Sequence, residues 1–437
     1  MFGTSGIRGP VGEEVTAALA LSVGRALGVD ADRAVVGRDP RESGRLLTDA
    51  LSAGLRESGT DVLDLGVAAT PTVARGVGWA GADAGVVVTA SHNPPADNGL
   101  KLWQPGGQAF DADLRDRIAR RVREDAAGLV PWTHLGDRTT CEFRDRHREA
   151  LVEAVDVPDR LTVAVDLGNG AGGVTVDALS ALGCTVETLN AQPDGSFPGR
   201  PSEPTAEHCR SLAALVADTD ADLGIAHDGD ADRTRAVTAD GEFLPGDVLL
   251  AVFGRAAAAS GDRVAVPVDT SLAVEDTLAA EGIGTVRTPV GDVYVADRAA
   301  DPGVAFGGEP SGAWIWPDET LCPDGPLAAC KLAELAADRP LSDRAAAVDT
   351  YPIRRASVET DDKTAVMRQV EDRVGSRYGD VSTLDGVRVD LGDGWFLLRA
   401  SGTQPLVRIT AEARDPDRAG AVFEEARGLL ERAAGDL

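Results

Sequence analysis

Three times along the chain, an apolar run ends in aspartate: Ala34-Val35-Val36-Gly37-Arg38-Asp39, Leu161 to Asp166, and Val264 to Asp269. Each run is followed by an Ala/Leu-rich stretch of helical composition closed by a glycine, near Gly59, Gly183 or Gly282, as suits a helix C-terminus. A second short strand pattern follows in each copy: Asp61 to Leu65, Thr185 to Leu189, and Thr285 to Arg287. Strand–helix–strand units of this kind predict parallel or mixed sheets with helices on their faces.

Each copy later produces one more apolar strand that runs into a polar, glycine-containing loop. Gly85 to Val88 leads into Thr89-Ala90-Ser91-His92-Asn93-Pro94, and Asp222 to Ala226 leads into His227-Asp228-Gly229-Asp230-Ala231-Asp232-Arg233. Gly303 to Phe306 leads into Gly307-Gly308-Glu309-Pro310-Ser311-Gly312. Ligands of open α/β sheets collect beyond the carboxyl ends of strands, so three related domains would present three loops to one cleft. The pattern changes near residue 346 and reads as a fourth, α+β domain. The expected division is 1–140, 141–240, 241–345 and 346–437, which agrees with a chain of 437 residues being too long for one core.

Composition adds a constraint on partners. The chain carries 71 acidic against 43 basic side chains, a formal net of −28, which argues against nucleic-acid or anionic-membrane partners. No run approaches the roughly 18 apolar residues of a membrane span, and Met1-Phe2-Gly3-Thr4 does not open a signal peptide. A soluble, cytoplasmic protein is expected. The five cysteines (Cys141, Cys184, Cys209, Cys322, Cys330) form no CxxC pair, suiting reduced thiols and offering no zinc site. His208 and Cys209, neighbours without further ligands nearby, read as surface residues.

Only three basic residues are lysines, Lys101, Lys331 and Lys363. High-GC codon usage also replaces lysine by arginine, but it does not explain the excess of aspartate, so a halophilic surface is expected. Self-repulsion then favours the expanded chain when few counterions are present. The screening length is about 30 Å at 0.01 M salt and about 3 Å at 1 M. The melting temperature should therefore rise steeply as KCl goes from dilute to molar, with activity following. An equal gain from a neutral osmolyte would point to general exclusion instead, and a fully folded, active protein in dilute buffer would contradict the expectation.

The loops carry the candidate chemistry. Asp228, Asp230 and Asp232 alternate, so an extended loop can turn three mutually repelling carboxylates toward one hard divalent cation, and all-oxygen ligation favours Mg²⁺ over zinc. An EF-hand is excluded because Ala239 stands where the closing glutamate belongs; a solvated acidic turn is the plainer alternative. The Ser91 loop lacks the GxSxG of a hydrolase elbow, and no lysine follows a glycine as a P-loop requires. Asn98, Gly99 and Lys101 lie just downstream. Near the C-terminus, Arg399-Ala400-Ser401-Gly402-Thr403-Gln404-Pro405-Leu406-Val407-Arg408 has the inventory of a phosphate clamp. Thr4-Ser5-Gly6-Ile7-Arg8-Gly9 is a compact polar loop with one arginine.

Together these segments resemble the α-D-phosphohexomutase superfamily of phosphoglucomutases, phosphomannomutases, phosphoglucosamine mutases and phosphoacetylglucosamine mutases. The ordered set FGTSGIRG, TASHNPxxxNGxK, DGDADR, GEPSG and RASGTxPxxRI spans nearly the whole chain. The resemblance implies three similar α/β domains and a distinct fourth around a central cleft. It implies a phosphoserine at Ser91, with Mg²⁺ held by Asp228, Asp230, Asp232 and a phosphoserine oxygen. Arg8, Lys101 and Arg233 would lie close to the transferred group. Glu309 and Ser311 would grip sugar hydroxyls, and Arg399, Ser401, Gly402, Thr403 and Arg408 the phosphate that is not reacting. A sugar phosphate is the implied substrate and a hexose 1,6-bisphosphate the implied intermediate.

Two departures stand out. Ala313 occupies the place after GExSG where many members carry histidine, and Pro289 stands where lysine is common in the TxVGD segment of glucosamine-type mutases. GGEPSG followed by Ala-Trp-Ile is similar to archaeal-type phosphoglucosamine mutases, which favours glucosamine 6-phosphate over mannose or glucose phosphates. A competing class comes from Gly168-Asn169-Gly170-Ala171-Gly172-Gly173, a GxGxxG after a strand with Glu187 about 20 residues on, as in a dinucleotide-dependent oxidoreductase. Glu187, however, falls mid-strand, and that class leaves the Ser91, aspartate and arginine loops without a role.

Overall fold

Val35, Val36, Val86, Val87 and Val88 are completely buried, as strands covered by helices on both faces require. Val36, Val86 and Val88 pack into one apolar cluster, and Val35 and Val87 into another on the opposite face. The computed structural model of the chain describes all residues except 1, 2, 4, 5, 127, 376, 402–404, 436 and 437.

The first sheet has six strands in the order Ile7–Pro10, Asp97–Trp103, Ala84–Val88, Arg33–Arg38, Asp61–Val67 and Arg138–Thr140. The second runs Thr234–Thr238, Leu223–His227, Thr162–Asp166, Thr185–Leu189, and the third Gly284–Thr288, Arg263–Pro267, Val304–Gly308, Trp314–Ile315. The threefold sequence pattern is a repeat of topology. In each sheet the first strand of the copy lies between the second and third in parallel, and an antiparallel strand follows the third. The closing glycines serve the purpose their positions suggest: Gly59, Gly183 and Gly282 have φ of 90°, 89° and 75°.

A single apolar cluster, including Ile225, Val264, Phe306 and Leu327, runs from the second sheet to the third. The fourth unit is an antiparallel five-stranded sheet, ordered Ile353–Glu359, Leu406–Ala413, Gly394–Ala400, Val387–Asp390, Val381–Ser382. The helices Lys363–Gly375 and Pro416–Gly435 pack on it. Among the described residues, no helix is long and apolar enough to cross a membrane.

One expectation is corrected. Cys209 is not a surface residue: it is fully buried beside Leu212 and Val216. It directly precedes the helix Arg210–Ala217, whose apolar face covers it, and burial pushes its thiol up to about 11. His208 instead bonds through Nδ1 to the Glu203 carbonyl at 2.7 Å.

Candidate active site

Ser91 follows the strand Ala84–Val88, is 1% exposed, and has a left-handed backbone with φ of 52°. That conformation is uncommon for a residue with a Cβ and persists only where the surroundings enforce it. Its amide donates to Thr89 Oγ1 at 2.8 Å, and its own Oγ donates to Asp228 Oδ2 at 2.6 Å. The nucleophile candidate of the first sheet thus meets the acidic loop of the second. Gly229 permits that approach, since a Cβ there would lie 2.8 Å from Ser202 Oγ and 3.0 Å from the Ser91 carbonyl.

Asp228, Asp230 and Asp232 are buried, and one ligand oxygen from each lies within 4.8 Å of the others. Lys101 Nζ donates to Asp230 Oδ2 at 2.7 Å and also to Asp232 Oδ2, while Thr70 Oγ1 donates to Asp230 Oδ2 at 2.6 Å. The Oδ1 atoms of Asp230 and Asp232 are buried without a hydrogen-bond partner. Buried oxygens left in this way are costly, and a hard cation would satisfy them. Burial, together with Asp230 and Asp232, drives Asp228 well above the usual carboxylate range. Burial also acts to raise Asp230, but Lys101 and Thr70 outweigh it and hold Asp230 below that range. Donor type, convergence and orphaned oxygens all fit Mg²⁺.

The cations sit around this pair of loops. Arg8 lies on Ile7–Pro10, which pairs antiparallel with Asp97–Trp103, the strand of Lys101. Burial works against the Lys101 charge, yet Asp230 and Asp232 raise its pKa and keep it protonated. Arg233 likewise stays charged because Asp228, Asp232 and Glu309 overcome its burial. Beside Ser91, His92 is pushed down to about 2 by burial and by Arg233, Arg8 and Lys101, so its imidazole is neutral.

Arg233 also joins the second sheet to the third, forming a β-bridge with Ala313, the residue in the place of the family histidine. Ser311 Oγ donates to Glu309 Oε2 at 3.1 Å, and the Gly291 amide to Glu309 Oε1 at 2.6 Å. Burial and nearby Asp292 push Glu309 up to about 7. The Pro289 segment links onward to the fourth unit, because the Val290 amide donates to Asp385 Oδ2 at 3.0 Å, an atom that also accepts from Arg399 at 3.0 Å. Arg399 and Arg408 are opposite one another on adjacent strands.

These residues line one cleft of about 700 Å³, which includes Arg8, Ser91, His92, Asp232, Arg233, Glu309, Ser311, Ala313, Arg399, Ser401 and Arg408. Lys101, Asp228 and Asp230 lie beneath it and act on it through Ser91 and Asp232. Gly402 and Thr403 fall outside the described residues. If Arg408 holds a distal phosphate in ground and transition states alike, Arg408→Ala should raise KM by about 10- to 100-fold with kcat little changed. A lowered melting temperature with KM unchanged would make it a structural arginine.

Other functional positions were not legible from the motifs. Thr70 holds Asp230 from the first domain, and Arg41 and Ser202 hold the Ser91 carbonyl, at 2.8 Å each. The available signal was the aspartate closing each copy's first strand. Asp39 pairs with Arg41, and Asp166 with Arg200, whose guanidinium reaches the His227 carbonyl at 2.6 Å. The GxGxxG stretch is used for packing: a Cβ at Gly170 would lie 2.8 Å from the Asp228 and Gly229 carbonyls, and one at Gly168 would strike Arg200. The surface a pyrophosphate would need is filled by the acidic loop, and Glu187 is exposed mid-strand. The dinucleotide alternative falls on that geometry.

Comparison with known proteins finds four family domains in succession along the chain. Residues 1–128, 145–241 and 245–351 match alpha/beta/alpha domains I, II and III of phosphoglucomutase/phosphomannomutase, and residues 353–429 match its C-terminal domain. The chain is 44% identical over 447 residues to a Methanopyrus kandleri protein described as "Probable phosphoglucosamine mutase", covering 100% of this chain and 99% of that one. A Methanosarcina barkeri protein of the same description is 44% identical over 420 residues, 95% of each chain. The crystal structure of a phosphoglucomutase/phosphomannomutase family protein from Burkholderia thailandensis superposes with a TM-score of 0.88 at 28% identity, covering 99% and 98% of the two chains. The architecture is thus that of the α-D-phosphohexomutases. This chain belongs to their phosphoglucomutase/phosphomannomutase family.

Proposed function

We propose that this chain interconverts glucosamine 6-phosphate and glucosamine 1-phosphate through a phosphorylated Ser91 and a bound 1,6-bisphosphate. The observation that carries the reading is the contact of Ser91 Oγ with Asp228, at the floor of a cleft whose far wall carries Arg399 and Arg408. Phosphoryl transfer needs in-line positioning and neutralisation of charge more than covalent assistance. Asp228, Asp230 and Asp232 would hold Mg²⁺, which when bound neutralises charge on the transferring phosphoryl group. Arg8, Arg233 and Lys101 add fixed positive charge around the same point.

In the forward direction, phospho-Ser91 gives its phosphoryl group to O1 of the sugar 6-phosphate. The P–Oγ bond breaks, a P–O1 bond forms, and the proton lost by the sugar hydroxyl balances the one gained by Oγ. The bisphosphate then reverses in the cleft, and Ser91 Oγ takes the phosphoryl group from O6. Glu309 and Ser311 would hold sugar hydroxyls in both poses, and Arg399, Ser401 and Arg408 whichever phosphate is not reacting.

Glucosamine is favoured over mannose and glucose by the descriptions of the relatives at 44% identity. The carboxylates of Glu309 and Asp292 in the cleft also suit an amino group. Comparing kcat/KM for the three 6-phosphates tests the preference. Glucosamine 6-phosphate should lead by about tenfold or more, the scale of one charged contact. A lead for mannose or glucose 6-phosphate would assign the chain to phosphomannomutase or phosphoglucomutase activity.

A further inference from the structure

Arg41 does not line the cleft, yet its guanidinium is completely buried and directs its donors at the Ser91 loop. Nη2 donates to the carbonyls of Ser91 at 2.8 Å and Asn93 at 2.7 Å. Nη1 donates to the Asp97 carbonyl at 2.9 Å and also to that of Pro94. Nε donates to Asp39 Oδ2 at 2.9 Å, and that same oxygen accepts from Thr89 Oγ1 at 2.6 Å, the hydroxyl that receives the Ser91 amide. A planar fork of five donors matches such an array of carbonyls, whereas a lysine ammonium cannot.

The second domain completes the clasp. Ser202 Oγ donates to the Ser91 carbonyl at 2.8 Å and accepts from the Gly229 amide of the acidic loop at 2.9 Å. The Phe197 ring centroid lies 4.9 Å from the Arg41 guanidinium carbon. Gly195 packs so closely that a Cβ there would lie 2.4 Å from Arg41 Cα.

We propose that Arg41 and Ser202 are positioning residues for phosphoryl transfer, holding the Ser91 carbonyl so that its Oγ keeps a fixed register to the acidic loop. The proposal rests on the phosphoserine reading above. A left-handed serine is a strained conformer that an unsupported loop would leave. Ser91 Oγ must hold still twice: once to release the phosphoryl group, and again after the bisphosphate has turned and offers its other end. A loop that relaxes in between would let the bisphosphate escape before Ser91 recovers its phosphoryl group. Loss of the clasp should then appear in kcat and in dependence on added bisphosphate, while sugar-phosphate affinity is kept.

The test uses Ser202→Ala and Arg41→Lys beside wild type. Each protein is loaded with glucose 1,6-bisphosphate, and phosphorylation of Ser91 is counted by intact and peptide mass. Per phosphorylated chain, Ser202→Ala should lose about 10-fold in kcat and Arg41→Lys about 100-fold, the scale of an ångström of misplacement. KM for glucosamine 6-phosphate should change less than about twofold, and added bisphosphate should restore part of the lost turnover. If Arg41→Lys fails to fold, Ser202→Ala decides alone. Wild-type kcat per phosphorylated Ser202→Ala chain, or a loss that bisphosphate does not relieve, would overturn the proposal. Failure of wild type to take a phosphoryl group on Ser91 would sink the phosphoserine reading instead.

Discussion

Ser91→Ala should abolish mutase turnover, lowering kcat by about 10⁴-fold or more, while the protein still folds. The size follows from the role: without Oγ there is no atom to carry the phosphoryl group between the two ends of the sugar, and water is no substitute in an isomerisation. The fold should survive because only a loop hydroxyl is removed, and alanine accepts the left-handed backbone of residue 91 no worse than serine. The severed contact leaves Asp228 without one donor, but burial already lifts its pKa, so it can take up a proton rather than remain an unpaired charge. Melting temperature should therefore shift by only a few degrees. Turnover near that of wild type, with the substitution verified, would remove Ser91 from the mechanism.

The second large effect concerns the acidic loop. Thorough chelation should abolish activity and added Mg²⁺ should restore it, and Asp230→Asn should lower kcat by about 100-fold and weaken Mg²⁺ binding. Asp230 is the informative position. Thr70 and Lys101 both donate to its Oδ2, while its Oδ1 is buried and unpartnered. The asparagine keeps the shape and removes the charge. Isothermal titration with Mg²⁺ should show weaker binding by the variant independently of turnover. Activity indifferent to chelation would refute the metal assignment.

The threefold organisation was legible because buried parallel strands must be continuously apolar and helices between them must end, here on glycine. Val35-Val36 and Val86-Val87-Val88 could hardly have been anything else. The loops were legible for a different reason: residues such as Ser91, Asp228 and Glu309 follow strand ends, where side chains reach a shared cleft. Arg41, Ser202 and Thr70 were not legible, since their roles arise between segments about 50 to 160 residues apart. A lone buried arginine following Asp-Pro looks in sequence like any turn. Cys209 was misjudged because adjacency to His208 says nothing about which side of the chain faces the core. The three lysines show how far scarcity alone can inform. Lys101 belongs to the site and Lys363 holds the Ser401 carbonyl beside the clamp, but Lys331 only ties Ala154 to Glu334.

The central claim is that a phosphoryl group resides on Ser91 and is passed to the sugar. Protein treated with glucose 1,6-bisphosphate should gain about 80 Da, located to Ser91 by peptide mapping. When that phosphoryl group carries an isotopic label, a chase with glucosamine 6-phosphate and Mg²⁺ should move the label to O1 of the sugar, while Ser91 is phosphorylated again from O6. A group located on another residue, or a label that stays on Ser91 through the chase while the enzyme turns over, would contradict the account.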